Sequence, residues 1–361
     1  MGCCETIDRP ESVPAPAEVM EGLVLVTGAG GFLGGNIVRA LREYGVRVRG
    51  LVRRQPRQER SRADDGVEFV VGDVRRPDEV AAAMVGVRYV IHAAGLTHMV
   101  PLPRGAAFQV NVQGTRNVCE AARRAGVRRL VFTSSLGTVA TLATAGPVSE
   151  DDHAPRWAVR TPYHRSKWLA ERVVRSFAAQ GLETVILNPA FMIGPRDPRP
   201  TTNELLLFAA RNRPAALPPG GINVIDVREA ACAHVRALWM GQSGERYFLA
   251  GPYRSYTELG RLVRRIAGVR WPLYTLPRWT YAPGSLLLAL LPALWPEAPA
   301  SLACPNFQAG FRDFRASGER ADRTFHLSHR PLEESVWDTL HWFQASGLAP
   351  WLPRHLRRPD D

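Results

Sequence analysis

The stretch GLVLVTGAGGFLGGNIVRALREY, residues 22–44, sets an apolar run, three glycines at spacing three and an amphipathic helical pattern in direct succession. Gly28, Gly31 and Gly34 follow a β-type run and open a helix. Glycine permits the tight turn and lets backbone N–H groups approach a pyrophosphate, and the helix N-terminus adds partial positive charge. This order of strand, glycine turn and helix therefore predicts a dinucleotide site at the start of a βαβ unit.

Outward from it the alternation continues. VRVRGLV (46–52), VEFVVGD (67–73), VRYVIHAAG (87–95), RRLVFTSS (128–135) and ETVILNP (183–189) are near-continuous apolar runs separated by helical stretches. Such runs indicate parallel strands covered on both faces, hence an α/β fold with a doubly wound parallel sheet of the Rossmann type. After Pro189 the chain turns Pro-rich and irregular, then returns to a strand and helix in NVIDVREAACAHVRALW (223–239). The expected division is a loose tail at 1–21, a nucleotide-binding domain at 22–190 plus 223–240, and a smaller C-terminal α/β substrate lobe at 191–222 plus 241–361.

The second strand ends LVRRQPR, which puts Arg53 and Arg54 where a site for NAD carries a carboxylate for the ribose. An arginine there pairs with a 2′-phosphate, so NADP(H) is favoured, with NAD(H) left open. A strand register off by one or two residues would leave these arginines as exposed charge. Asp73, closing the third strand, is a candidate for the adenine amino group.

Of 46 Lys and Arg residues, one is lysine, Lys167. It lies four residues after Tyr163 in TPYHRSK (161–167), where Thr161 is a good N-cap and Pro162 a good first helical residue. That spacing puts both side chains on one helix face. A nearby ammonium lowers a phenol pKa, and its compact charge can fork to two ribose hydroxyls where a planar guanidinium cannot. The plainer reading is an exposed pair with Glu171 one turn on.

These residues resemble the extended short-chain dehydrogenase/reductases, the NAD-dependent epimerase/dehydratase family. The likeness spans residues 22 to about 346 through GAGGFLG (28–34), GDV (72–74), HAAG (92–95), NVQGT (111–115), FTSS (132–135), YHRSK (163–167) and NPA (188–190). Within that branch the sequence looks most like the dihydroflavonol reductase, 3β-hydroxysteroid dehydrogenase and hopanoid-associated epimerase-like groups. The resemblance implies Tyr163 as acid/base, Lys167 lowering its pKa and holding the nicotinamide ribose, and Ser135 as the hydroxyl on the substrate oxygen, with Ser134 as fallback. It implies a cofactor lined by Gly28, Gly31, Phe32, Leu33, Gly34, Arg53, Asp73, Val74, Ala93, Ala94, Gly95, Tyr163, Lys167, Asn188 and Pro189, and support for the lysine region from Asn111. His92 and His98 flank the loop after the fourth strand and are left out of the chemistry.

Three functions compete. An NADP(H)-dependent ketone reductase or hydroxy dehydrogenase is favoured by Arg53. A nucleotide-sugar epimerase retaining NAD is disfavoured by the missing acidic strand end, and a sugar dehydratase by the lack of an acidic pair in SLGTV (135–139). A catalytically silent nucleotide-binding scaffold would have lost Tyr163 or Lys167, and both are present.

The apolar lobe residues Phe191, Met192 and Leu205–Leu207 and the run 285–295 suggest a hydrophobic small-molecule substrate, or simply the lobe's own packing. A net charge of +12 comes without a groove-reading motif, which argues against nucleic acid as a partner. It suits phosphate ligands and leaves peripheral membrane contact open, as a homodimer is also left open. Five cysteines without metal-ligand spacing predict no metal, no structural disulfide and a cytoplasmic, reducing setting. The run 285–295 is too short to span a bilayer, and the start MGCCET matches the myristoylation pattern with palmitoylatable cysteines beside it.

Overall fold

The computed structural model describes residues 21–55, 66–97, 105–139, 146–152, 161–294, 304–353 and 355–358. The expected N-terminal tail (but for Glu21), the MGCCET start and His98 lie outside them.

The first half alternates strands and helices: β1 Leu23–Thr27, α1 Phe32–Glu43, β2 Arg47–Val52, β3 Val67–Val71, α2 Pro77–Ala83, β4 Val87–His92, α3 Gly114–Arg124, β5 Arg129–Thr133, α4 Pro162–Ala178 and β6 Thr184–Pro189. There follow β7 Phe191–Ile193, α5 Glu204–Ala209, β8 Ala215–Leu217, β9 Gly221–Asp226, α6 Val227–Met240, β10 Arg246–Leu249, β11 Tyr253–Ser255, α7 Tyr256–Ile266 and β12 Leu273–Thr275. The chain continues through α8 Tyr281–Leu294, α9 Cys304–Gly310, β13 Asp313–Phe314, α10 Glu319–Phe325 and α11 Leu332–Ala345.

Seven strands form one sheet in the order β10-β6-β5-β4-β1-β2-β3, every neighbouring pair parallel. The apolar runs are buried because helices cover both faces. Ile37 and Leu41 of α1, the alanines of α6 and Phe325 of α10 pack on one face; Val80 of α2, Val118 and Ala122 of α3 and Val174 and Phe177 of α4 pack on the other. Strand order reverses between β1 and β4, and ligands of such sheets bind beyond the strand C-termini at that point. Register levels those ends: Leu51 pairs with Thr27, Thr27 with His92, and His92 with Phe132.

Two strands lie elsewhere than the sequence division places them. β9 leaves the main sheet and centres a second one with β7, β11 and β13, while β10 closes the main sheet beside β6. Both are largely buried strands, so alternation alone does not assign their sheet. The lobe has its own core, in which Leu206 is fully buried among Leu259, Val263, Val336 and Phe343, with Phe191, Leu205 and Leu207 packed against it. Those residues are packing. Met192 instead packs against the core of the main sheet. Cys232 is disulfide-bonded, a departure from the expectation of none, while Cys119 is a free buried thiol that burial pushes up to about 12.

Candidate active site

Levelled strand ends deliver the motif residues to one edge of the sheet. After β1, Gly28 takes φ +73°, a conformation glycine adopts without strain, and a Cβ there would sit 2.8 Å from the Ala94 backbone. A Cβ on Gly34 would meet the Gly28 carbonyl at 2.1 Å, so the first turn of α1 lies directly against the loop. Gly31 caps α1 without a side-chain acceptor, leaving the first-turn N–H groups of Phe32, Leu33 and Gly34 to a ligand. This cradle fits a pyrophosphate. Leu33 itself points into the core.

β2 ends at Val52, so Arg53 is the first residue past the strand and is exposed. Its charge reaches Asp73, whose carboxyl is held below its ordinary range first by hydrogen bonds from Arg75 and last by Arg53. Asp73 is thus already engaged, in a two-oxygen pairing with Arg75, and its N–H donates to Glu79 Oε2 at 2.7 Å. A cavity of 380 Å³ lies against it, walled also by Arg75, Arg76, Glu79 and Gln109. Val74 is buried and closes on Gly114 of α3.

The loop after β4 links the glycine turn to the lysine. The Ala94 N–H donates to Thr27 Oγ1 at 3.2 Å, and Ala93 packs on the sheet core. A Cβ on Gly95 would come within 3.0 Å of Lys167 Nζ and 3.3 Å of Asn111 Oδ1. Asn111 lies in a π-helical segment, Gln109–Gln113, and exchanges two hydrogen bonds with the Leu96 backbone, at 2.8 and 3.0 Å. Its Nδ2 also donates to Ser166 Oγ at 2.8 Å, tying the loop to α4. His92 is fully buried between Thr27 and Thr115, and burial lowers its pKa to about 3, which makes it a structural neutral histidine.

Thr161 caps α4 by accepting from the His164 N–H at 3.1 Å, and the helix presents Tyr163 and Lys167 to the sheet edge. Tyr163 shares a hydrogen bond with Ser135, the N-cap of the short turn after β5. Burial raises the phenol pKa and the Ser135 bond opposes it. The lysine is 5% exposed, donates to the Thr133 carbonyl at 2.8 Å and lies over the Phe132 ring. Burial lowers its own pKa to about 8, with Glu171 opposing.

Glu171 is no exposed partner for Lys167. It too is 5% exposed, and its Oε1 accepts from Ser134 Oγ at 2.5 Å, Asn188 Nδ2 at 2.7 Å and Thr138 Oγ1 at 3.0 Å. Asn188 Nδ2 also donates to the Ser135 carbonyl at 3.0 Å, and Pro189 ends β6 buried against Leu249. Ser134 is thereby engaged in the network while Ser135 faces the phenol. This Glu171 hub and His164, whose ring closes on Gly137, are site features the sequence reading missed.

Among the described residues no group of three or more His, Cys, Asp or Glu side chains is placed to hold a metal ion, and no helix is long and apolar enough to cross a membrane.

A phosphate cradle at the reversal point of a parallel sheet, with a serine, tyrosine and lysine beyond the next strands, defines a dinucleotide-dependent oxidoreductase architecture. The NAD dependent epimerase/dehydratase family matches residues 24–250, and the chain belongs to that family. It is 36% identical to Sterol demethylase protein B of Methylococcus capsulatus, over 90% of this chain and 99% of that protein. It is 33% identical to 3 beta-hydroxysteroid dehydrogenase type 7 of Rattus norvegicus, over 93% of this chain and 99% of that protein. The crystal structure of gox2253 superposes with a TM-score of 0.79 at 30% identity, covering 91% of this chain and 99% of that one. The chain is accordingly a nicotinamide-dependent enzyme of the oxidoreductase and epimerase type.

Proposed function

We propose that the chain is an NADP(H)-dependent ketone reductase or hydroxy dehydrogenase acting on a hydrophobic, sterol-like ketone or secondary alcohol. The observation that carries this reading is the hydrogen bond between Ser135 and Tyr163 at the strand edge that also holds the glycine cradle. A nicotinamide, when bound, supplies or takes up the hydride at the substrate carbon. Tyr163 gives its proton to the substrate oxygen in reduction and accepts one in oxidation, while Ser135 holds that oxygen beside the phenol. With one N–H on the Thr133 carbonyl, Lys167 has two more donors for ribose hydroxyls.

Gly28, Gly31 and Gly34 with the N–H groups of Phe32 and Leu33 take the pyrophosphate, and Arg53 takes the 2′-phosphate. Ala93, Ala94 and Gly95 line the middle of the cofactor, Asp73 and Val74 its adenine end, and Asn188 and Pro189 the nicotinamide side. The substrate side draws on residues 191–226 and on the described residues after Leu249 that share their core. The sterol-like class is supported by the names of the two relatives, a sterol demethylase component and a hydroxysteroid dehydrogenase.

Nicotinamide fluorescence titrations with NADPH and NADH, on the parent and on Arg53→Ala, test the cofactor. NADPH is expected to bind about tenfold tighter to the parent, with the preference lost in the variant. Tighter NADH binding, or co-purified NAD that resists dialysis, overturns the reading in favour of an epimerase. Tyr163→Phe is expected to abolish turnover of 3-keto and 3-hydroxy sterols and keep cofactor affinity; full activity in that variant sinks the catalytic assignment.

A further inference from the structure

Helix α8 has an inner side fixed by packing and an outer side exposed among the described residues. Gly284 lies where a Cβ would come within 2.6 Å of the Phe307 ring, and Tyr281 meets the Phe311 ring edge-on at 5.5 Å. On the outer side Leu286, Leu287 and Leu290 are 66%, 62% and 54% exposed. Trp279 in the preceding turn is 75% exposed, and Trp271 before β12 and Tyr274 within it are 50% and 60% exposed. Single exposed leucines are ordinary, but three on one helix face with an exposed indole in the turn leading into it mark an interaction surface.

Charge chooses the occupant. Between Glu258 and Glu297 the sequence holds five arginines and no acidic residue. Arg264 is turned inward onto the Ala209, Arg213, Trp271 and Pro272 carbonyls and Arg265 pairs with Glu333, while Arg270 before β12 and Arg278 in the turn leading into α8 are exposed. A second copy of this +12 chain would set arginine against arginine across the stripe. An anionic bilayer supplies both the opposite charge and the apolar layer. The described helix, at 14 residues, is about 21 Å long and short of the roughly 30 Å hydrocarbon core, which suits a helix lying in the interface. Tryptophan and tyrosine at its base suit the headgroup level.

We propose that α8 docks this protein on an anionic lipid bilayer, with Trp279, Leu286, Leu287 and Leu290 entering the acyl boundary and Arg270 and Arg278 at the headgroups. The geometry is that of an interfacial helix, and it stands independently of the reaction assigned above.

Flotation of the full chain with phosphatidylcholine vesicles, with and without phosphatidylglycerol, tests it. The parent is expected to float with the anionic vesicles, to release at high salt, and to bind at least about tenfold more weakly as the triple variant L286S/L287S/L290S. R270E/R278E is expected to lose the preference for phosphatidylglycerol, and NADPH titration checks that both variants remain folded. The proposal is overturned if the parent does not float with anionic vesicles, or if a folded triple variant floats as the parent does. It is also overturned if the stripe closes a dimer that ignores vesicles. Should the triple variant lose NADPH binding, the charge-reversed pair decides, and undiminished flotation of that pair overturns the proposal.

Discussion

Lys167 on α4 donates to the backbone carbonyl of Thr133 at 2.8 Å, so the lysine is positioned by the strand that carries Ser135 two residues later. The contact is buried and short, with Gly95 and Asn111 closing the far side. Arginine is longer, and its planar fork cannot sit on the carbonyl without displacing that loop. Lys167→Arg is expected to lower kcat/KM by about 10²-fold or more and to weaken NADPH binding. Parent-like kinetics in that variant would show that only charge matters here.

The same burial makes the lysine titratable near physiological pH. With its pKa at about 8, the ammonium that would hold the ribose is lost as pH rises through that value. NADPH affinity is expected to fall above about pH 8 in the parent and to show no such limb in Lys167→Met. For stability the sign is opposite. The folded state binds fewer protons than the unfolded chain between about 8 and the ordinary 10.5, so the burial penalty of this residue is relieved as pH rises across that window.

Glu171 opposes the lowering of Lys167 and gathers Ser134, Thr138 and Asn188 around one oxygen. Glu171→Gln keeps the shape and removes the charge. The alkaline limb of NADPH binding is expected to move to lower pH, and stability to fall by about 1–3 kcal/mol as charge-assisted hydrogen bonds become neutral. Titrations of the variant at several pH values read the first effect and urea unfolding the second; an unmoved limb would leave Glu171 a purely structural group.

Gly95 separates the two halves of the site. A Cβ there would press on Lys167 Nζ and Asn111 Oδ1, so these atoms must give by a few tenths of an ångström. Gly95→Ala is expected to fold normally yet raise the Kd for NADPH about tenfold or more, because a small misplacement at the ribose is costly. Unchanged affinity would mean that this approach is not needed.

What was legible in the sequence is what lies close along the chain. Gly28, Gly31 and Gly34 declare their turn within seven residues, Tyr163 and Lys167 share a face through helical period, and Arg53 follows its strand directly. The Glu171 hub was not legible, since its partners are Ser134 and Thr138 just after β5 and Asn188 in β6, and only the folded sheet brings them to α4. The assignment of β9 and β10 to different sheets was hidden for a related reason: both read as buried strands, and sheet membership is decided by the crossover path. A spacing of four sets Tyr163 and Lys167 on one helix face but leaves open what else each touches, so the bond from Lys167 to the Thr133 carbonyl was not legible either.

His329 offers a test of the lobe's attachment to the sheet. Its Nδ1 bonds Glu229 Oε2 on α6 at 3.0 Å and its Nε2 bonds Asp322 Oδ2 on α10 at 3.2 Å. The Asp322 and Glu229 hydrogen bonds raise its pKa to about 10 against burial, while burial lifts the Glu229 carboxyl despite the same contact. A histidine raised above its ordinary 6.5 stabilises the fold fully below that value and loses the contribution as pH rises toward 10. Urea unfolding of the parent and His329→Gln is therefore expected to differ by about 1–3 kcal/mol at pH 6 and to converge near pH 10. Taking the difference between the two proteins cancels the titration of groups distant from the site. A gap that stays constant or widens with pH would mean that the imidazole is held neutral, and that Glu229 carries the proton between them.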